Sequence, residues 1–194
     1  MVMMDTDPRF RKAYEFAKNA HEGQLRESIN TPYINHPLRV SEILYSVLNE
    51  NDNQTLDSDR GKFMIEAALL HDTIEDTSAN YETILAIFGK ETARLVMELT
   101  SDKKILNEYK DRLGSSEGRV EYMSEKIMKM SGDALLVKLA DRIHNIIDAK
   151  MSEPSFRERY IMETKIIAKN ISERISNESK PHQILFGILL SELG

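Results

Sequence analysis

The sequence predicts an all-α protein of about eight or nine helices. Glycine and proline are scarce, at 8 and 5 of 194 residues, which leaves few places where helices must end. Apolar residues recur at three- and four-residue spacing, and the strict alternation typical of half-buried strands is rare. A chain of 194 residues can bury the core of one ordinary domain, so we expect residues 1–194 to form a single domain.

The first predicted helix occupies the segment DPRFRKAYEFAKNAHEG. Asp7 is a suitable N-cap, Pro8 suits the first helical position, and Gly23 offers a stop. The stretch HPLRVSEILYSVLNE, residues 36–50, carries one apolar face and predicts the second helix. Residues 51–61 are polar and are predicted to form a loop.

The middle of the chain predicts three further helices. The segment KFMIEAALLHDTIED, residues 62–76, is interpreted as one helix. Residues 80–100 are interpreted as two helices that meet near Gly89, because glycine weakens a helix interior. Residues 101–117 are polar, and we expect them to form a mobile connection.

Four more helices complete the predicted bundle. They cover residues 118–130, residues 132–150, the long amphipathic stretch 153–176 and a last short segment after Pro181. No internal repeat, low-complexity tract or interdomain linker interrupts them. The helices are therefore expected to pack around one core.

Charge and cysteine content exclude several classes of protein. The net charge of −6 argues against a broad nucleic-acid or anionic-membrane surface, since both need a basic face. The late apolar run ILFGILL is too short to span a bilayer, and the start lacks a signal-peptide pattern, so we expect a cytoplasmic protein. The chain has no cysteine, which leaves histidine and carboxylates as metal ligands.

The stretch LLHDTIEDT carries the first candidate site residues. An apolar run leads directly into His71, Asp72, Glu75 and Asp76. If this stretch is helical, His71 lies beside Glu75, and Asp72 lies beside Glu75 and Asp76. Three carboxylates so close together repel one another unless a cation lies among them.

Two other stretches place ionisable groups where they are costly to bury. In LVKLADRIHNI, Asp141 borders an apolar stripe, and His144 and Asn145 follow at helical spacing. In TPYINHP, His36 precedes Pro37, which favours a junction between a loop and a helix. Each of these residues taken alone has an ordinary structural interpretation, such as a junction hydrogen bond or a salt bridge.

Together these stretches indicate a metal site of two imidazoles and two carboxylates. The candidate ligands are His36, His71, Asp72 and Asp141. Such a set without thiolates suits Mn²⁺ or Fe²⁺, with Zn²⁺ or Mg²⁺ also possible. Open positions would hold water, which a bound cation makes more acidic.

The same stretches, in this order, resemble one known family. They are AHEGQLR, TPYINHPLRV, AALLHDTIEDT, IFGKETARLVMELT and LVKLADRIHNI, which span residues 20–146. The chain resembles the HD-domain superfamily and, within it, the small alarmone hydrolases of the RelA/SpoT-homologue group. The resemblance implies a helical HD-domain bundle. It also implies removal of the 3′-pyrophosphate of guanosine tetra- or pentaphosphate (ppGpp or pppGpp), usually with Mn²⁺, to give GDP or GTP and pyrophosphate.

The resemblance also implies roles for individual residues. His36, His71, Asp72 and Asp141 would bind the metal. Glu75 and Asp76 would position or deprotonate the attacking water, Arg26 would lie against the guanine, and Asn145 would line the nucleotide pocket. Lys138 and Arg142 flank Asp141, and their charges could face phosphate.

Two alternative functions stay open. Relatives often carry lysine after the arginine of the first motif, whereas this chain has Glu27. The same site could therefore act on another nucleotide, such as an adenosine alarmone or the 2′-phosphate of NADPH. The chain could also be a non-catalytic nucleotide sensor, although a pure binder would not need both Glu75 and Asp76.

Overall fold

The computed structural model describes residues 7–26 and 30–194. These residues form twelve α-helices, ten of them with eight or more residues, and one antiparallel ribbon of two short strands. In chain order the elements are α1 (Pro8–Ala20), β1 (Leu25–Arg26), β2 (Thr31–Pro32), α2 (Asn35–Asn51), α3 (Asn53–Asp57), α4 (Asp59–Leu70), α5 (Thr73–Asp76), α6 (Tyr81–Phe88), α7 (Lys90–Leu99), α8 (Lys103–Leu113), α9 (Ser115–Lys129), α10 (Gly132–Lys150), α11 (Pro154–Ser176) and α12 (Lys180–Leu193). The predicted all-α class is confirmed, and the number of long helices is close to the predicted eight or nine.

The beginning of α1 follows the capping signals in the sequence. The side chain of Asp7 accepts a hydrogen bond from the backbone N–H of Arg9 at 2.8 Å, and Pro8 occupies the first turn. Phe10, Ala13 and Ala17 are buried on one face. The apolar spacing and the cap therefore specify the same helix.

The loop prediction for residues 51–61 is wrong. This stretch forms α3 and the first turn of α4. Its polar residues act as caps: the Asp52 side chain accepts from the backbone N–H of Thr55 at 3.2 Å, and Ser58 caps α4 in the same way. Leu56 is buried and anchors the short helix to the core. Capping residues and loop residues have similar compositions, which explains the error.

Two other boundaries differ from the prediction. The single helix predicted over residues 62–76 is split into α4 and α5, with His71 and Asp72 between them. The hydroxyl of Thr73 donates to the carbonyl oxygen of Leu70 at 2.7 Å, which satisfies a carbonyl at the end of α4. The predicted mobile connection over residues 101–117 is largely helical, although α8 contributes no buried residue.

Helix α10 is the central element of the core. It packs against α2, α4, α7, α11 and α12. Leu135, Leu139, Ile143 and Ile146 on α10 are almost fully buried. Helix α4 is equally enclosed over residues 64–70. Polar groups at the end of α4 and in the middle of α10 therefore meet inside the protein.

The two-stranded ribbon connects α1 to α2. Leu25 pairs with Pro32 and Arg26 with Thr31, so the two ends of this connection lie side by side. Glu27, the departure from the family pattern, lies outside the described residues. Among the residues that the model does describe, no helix combines the length and the apolar character needed to cross a bilayer.

Gly89, between α6 and α7, provides a test of backbone strain. Its φ of +85° lies where L-residues are unfavourable, and an added Cβ would meet no atom within 4 Å. Gly89→Ala should therefore lower the free energy of unfolding by about 1–3 kcal/mol through strain alone. Urea denaturation measures this change.

The matched control is Gly187→Ala. Gly187 lies inside α12, has no positive φ and also has open space where a Cβ would go. Alanine there should raise the free energy of unfolding by about 0.5–1 kcal/mol. Equal effects of the two substitutions would contradict the assignment of strain to Gly89.

Candidate metal centre and substrate cavity

The four residues predicted to bind metal lie together. His36 lies in the first turn of α2, His71 and Asp72 separate α4 from α5, and Asp141 lies in the middle of α10. The Nε2 atom of His36 is 3.2 Å from Oδ1 of Asp141 and 3.6 Å from Oδ2 of Asp72. The Nε2 atom of His71 is 3.1 Å from Oδ2 of Asp72 and 3.7 Å from Oδ1 of Asp141. The donor atoms of His36, His71 and Asp141 lie within 4.8 Å of one another, and Oδ2 of Asp72 lies beside both imidazoles.

These separations suit a small divalent cation. Ligand atoms about 2.1 Å from a metal lie roughly 3 Å or slightly more from one another. His36, His71 and Asp141 are at most 4% exposed, whereas the Asp72 side chain is 18% exposed. A cation bound here would be enclosed by protein on most sides and would be accessible to solvent on the side of Asp72.

The hydrogen bonds of the two imidazoles leave their Nε2 atoms for a ligand. Nδ1 of His71 bonds to the carbonyl oxygen of Ala68 at 2.9 Å, so that nitrogen carries the proton in the neutral ring. Nε2 of His71 is buried and has no hydrogen-bond partner. Nδ1 of His36 lies 2.8 Å from Nδ1 of His144, which can accept a hydrogen bond from it. An orphaned Nε2 that faces two carboxylates fits a metal ligand.

The cluster requires a positive charge. Burial disfavours the charged form of His71, but Asp72 and Asp141 outweigh it and raise the pKa of the imidazole to about 10. Burial also opposes ionisation of Asp72, yet the neighbouring His71 holds the pKa of that carboxyl below its usual range. Burial lowers the pKa of His36. A proton on His71 can supply the charge, and a divalent cation bound by the same atoms can supply it too.

Asp141 is held by two neighbours on its own helix. Nζ of Lys138 donates to Oδ2 at 2.7 Å, and the side-chain amide of Asn145 donates to Oδ1 at 2.5 Å. Burial opposes ionisation, but Lys138 holds the pKa of Asp141 well below its usual range. Arg142 points elsewhere and donates to the hydroxyl of Thr164 at 3.0 Å. Its proposed contact with phosphate stays a prediction.

Glu75 and Asp76 lie at the end of the four-residue helix α5. Oε2 of Glu75 accepts from the backbone N–H of Ser101 at 2.7 Å. Asp76 is exposed, and Nζ of Lys103 lies 3.6 Å from its Oδ1 and 2.7 Å from the carbonyl oxygen of Glu75.

Several side chains near the cluster escaped the sequence analysis. The hydroxyl of Tyr33 donates to Oδ2 of Asp72 at 2.7 Å, whereas only the histidine of the motif TPYINHP was predicted to take part in the site. Nζ of Lys126 donates to the carbonyl oxygen of Leu99 at 2.6 Å, and burial together with repulsion by Lys138 lowers its pKa to about 7. Lys126 reads as an ordinary surface lysine in an amphipathic pattern, so no local signal marks it.

A cavity of about 730 Å³ adjoins the cluster. Arg26 lies in its wall and bonds to Asp148 at 2.7 and 3.0 Å and to the side-chain oxygen of Asn145 at 2.7 Å. Phe156 and Tyr160 lie in the same wall, with parallel rings whose centroids are 5.8 Å apart. Asp148 lies seven residues after Asp141, and this helical spacing could have identified it. The cavity offers a guanidinium plane, aromatic surface and carboxylates.

Comparisons with known proteins identify the family of this chain. The family model described as HD domain matches residues 13–174. The bifunctional (p)ppGpp synthase/hydrolase SpoT of Escherichia coli K12 is 38% identical over 173 residues, which are 88% of this chain. The chain spans about a fifth of the length of this bacterial relative, 22%.

Animal relatives match over most of both chains. The guanosine-3′,5′-bis(diphosphate) 3′-pyrophosphohydrolase MESH1 of Drosophila melanogaster is 33% identical, and the match covers 84% of each chain. A solved structure of a metazoan SpoT orthologue, described as hydrolysing ppGpp, has a TM-score of 0.72 and 26% identity over 97% of each chain. This chain therefore belongs to the HD-domain family, within the group that contains MESH1 and SpoT.

Proposed function

We propose that this protein removes the 3′-pyrophosphate of ppGpp and pppGpp by hydrolysis that depends on a divalent cation. Mn²⁺ is the first candidate for this cation. The observation that carries the proposal is the convergence of His36, His71, Asp72 and Asp141 next to Glu75, Asp76 and the cavity. The relative MESH1 of Drosophila melanogaster is named for the same reaction. A cytoplasmic location remains part of the proposal.

The reaction needs a group that accepts a proton from water and positive charge that offsets the charge of the pyrophosphate. The oxygen of water bonds to the phosphorus attached to O3′ of the ribose, the P–O3′ bond breaks, and O3′ takes up a proton. His36, His71, Asp72 and Asp141 would hold a divalent cation, which would lower the pKa of a bound water and polarise a phosphate oxygen. Glu75 and Asp76 lie outside the ligand set and can accept the proton that water loses.

The charges around the site suit an anionic nucleotide. Lys103 is 64% exposed beside Asp76, and Lys138 is enclosed beside Asp141. These ammonium groups can offset the charge of the pyrophosphate. Arg26 can place its guanidinium plane against a purine base, because Asp148 fixes its orientation. The aromatic rings of Phe156 and Tyr160 offer further surface for the nucleoside.

The first test uses metal-stripped protein with ppGpp, with and without added Mn²⁺, and separates the products. We expect GDP and pyrophosphate only when Mn²⁺ is present. A parallel assay uses NADPH. Release of orthophosphate from NADPH, with ppGpp left intact, would favour the alternative that the site acts on another nucleotide, which Glu27 suggested. Binding of ppGpp to metal-loaded protein without any product would support a sensor and contradict the proposal.

Asp72→Ala tests the ligand assignment. Loss of this carboxylate should weaken Mn²⁺ binding by more than the roughly 10–100-fold that loss of an outer hydrogen-bond partner costs. Hydrolysis should disappear with it. Calorimetric titration of Mn²⁺ measures the affinity, and Asp111→Ala on the exposed face of α8 is the control. An active variant that binds Mn²⁺ with wild-type affinity would refute the assignment.

Glu75→Gln tests proton acceptance separately from metal binding. The amide oxygen can still accept the bond from Ser101, so folding and Mn²⁺ affinity should be retained. Because the proton acceptor is lost, kcat should fall by about 10²–10⁴-fold. Glu121→Gln at an exposed position of α9 is the control for the same chemical change. Undiminished turnover in Glu75→Gln would remove Glu75 from the mechanism.

A further inference from the structure

The hydroxyl of Tyr33 lies between two carboxylates with different proposed tasks. It is 2.7 Å from Oδ2 of Asp72, a proposed metal ligand, and 3.3 Å from Oδ2 of Asp76, a proposed proton acceptor. One hydroxyl proton can serve only one strong bond at a time, and the shorter distance assigns it to Asp72. A tyrosine hydroxyl, with an ordinary pKa of about 10, is protonated at neutral pH and can act as this donor.

The ring of Tyr33 is fixed from several sides. The ring of His21 stacks on it, with centroids 4.6 Å apart and an angle of 22° between the planes. The ring of His36 meets its edge at 6.1 Å, and the guanidinium of Arg26 lies 5.6 Å from its centroid. The backbone N–H of Tyr33 donates to the carbonyl oxygen of Gln24 at 3.0 Å. The hydroxyl therefore has little freedom to follow a moving carboxylate.

Gln24 also contacts Asp76, through the backbone of that residue. Its side-chain N–H donates to the carbonyl oxygen of Asp76 at 2.9 Å, and its side-chain oxygen lies 2.8 Å from Nδ1 of His21. Helix α5 has only four residues, too few to be stable without outside contacts. Asp76 is its last residue, so this bond satisfies a terminal carbonyl that the helix leaves without an intrahelical partner.

We propose that Tyr33 and Gln24 are positioning residues, which hold Asp72 toward the cation and Asp76 toward the attacking water. His21 acts through both, because it stacks on Tyr33 and bonds to Gln24. The segment between α1 and α2 thereby sets the geometry of two groups that are distant from it in sequence. The part that concerns Asp76 rests on the proposed function, whereas the part that concerns Asp72 rests only on cation binding.

The experiment compares Tyr33→Phe and Gln24→Met in the full-length protein. Tyr33→Phe removes one hydroxyl and keeps the stacked ring, so Mn²⁺ dissociation constants from calorimetry should rise by about tenfold or more. Gln24→Met leaves the ligands untouched, so its Mn²⁺ affinity should stay within about twofold. With ppGpp, Gln24→Met should lower kcat about tenfold and leave KM unchanged.

Two control substitutions remove the same chemical groups elsewhere. Tyr45→Phe changes a tyrosine of α2 that lines a surface groove, and Gln183→Met changes a glutamine that donates to the backbone carbonyl oxygens of Ser176 and Glu178. Both should match the wild type in Mn²⁺ affinity and in kcat. Thermal unfolding of all four variants separates local repositioning from a general loss of stability.

The outcomes decide the two parts separately. Mn²⁺ affinity of Tyr33→Phe within twofold of wild type overturns the role of Tyr33. An unchanged kcat in Gln24→Met overturns the role of Gln24. If wild-type protein binds Mn²⁺ but does not hydrolyse ppGpp, the proposed function fails, and the titration of Tyr33→Phe still decides whether Tyr33 holds a metal ligand.

Discussion

Two carboxylates and two imidazoles enclosed at one point impose the constraint on which the rest of the site depends. Buried carboxylates of like charge are tolerated only with compensating positive charge and hydrogen bonds. Here Lys138 and Asn145 bind the oxygens of Asp141, and Tyr33 donates to Asp72. The positive charge that is still needed must lie at the point that both Nε2 atoms face, and either a proton or a cation can supply it there.

This constraint explains two features of the fold. Helix α4 ends at Leu70, and His71, which follows it, turns one nitrogen to the carbonyl oxygen of Ala68 and the other toward Asp141. Helix α10 passes through the centre of the bundle and brings Asp141 to that same point. A break in one helix and an unbroken neighbour thus bring four side chains from distant parts of the chain together.

The sequence predicted the parts of this protein that depend on local chemistry. Apolar spacing and caps placed α1, and the motifs identified four residues that the fold brings together. Residues 51–61 were misassigned because Asp52 and Ser58 suit a cap as well as a loop. Periodicity also could not locate the break at His71, since the apolar spacing continues through Ile74 and carries no stop signal there. Gln24 and Lys126 were missed because their partners, Asp76 and Leu99, are distant in sequence.

The arrangement separates the buried proposed ligands from a more exposed proposed proton acceptor. His36, His71 and Asp141 are held within the core, where packing fixes their rotamers. Asp76 is exposed and lies on a four-residue helix that owes its stability to contacts from Gln24, Tyr33 and Lys103. In the proposed mechanism Asp76 accepts a proton from water, and proton transfer depends steeply on distance. We therefore expect the position of α5 to affect turnover more than small shifts of the buried residues do. Substitutions of residues that contact α5 should therefore change the rate more readily than the fold. Gln24 and Tyr33, between α1 and α2, are two such residues.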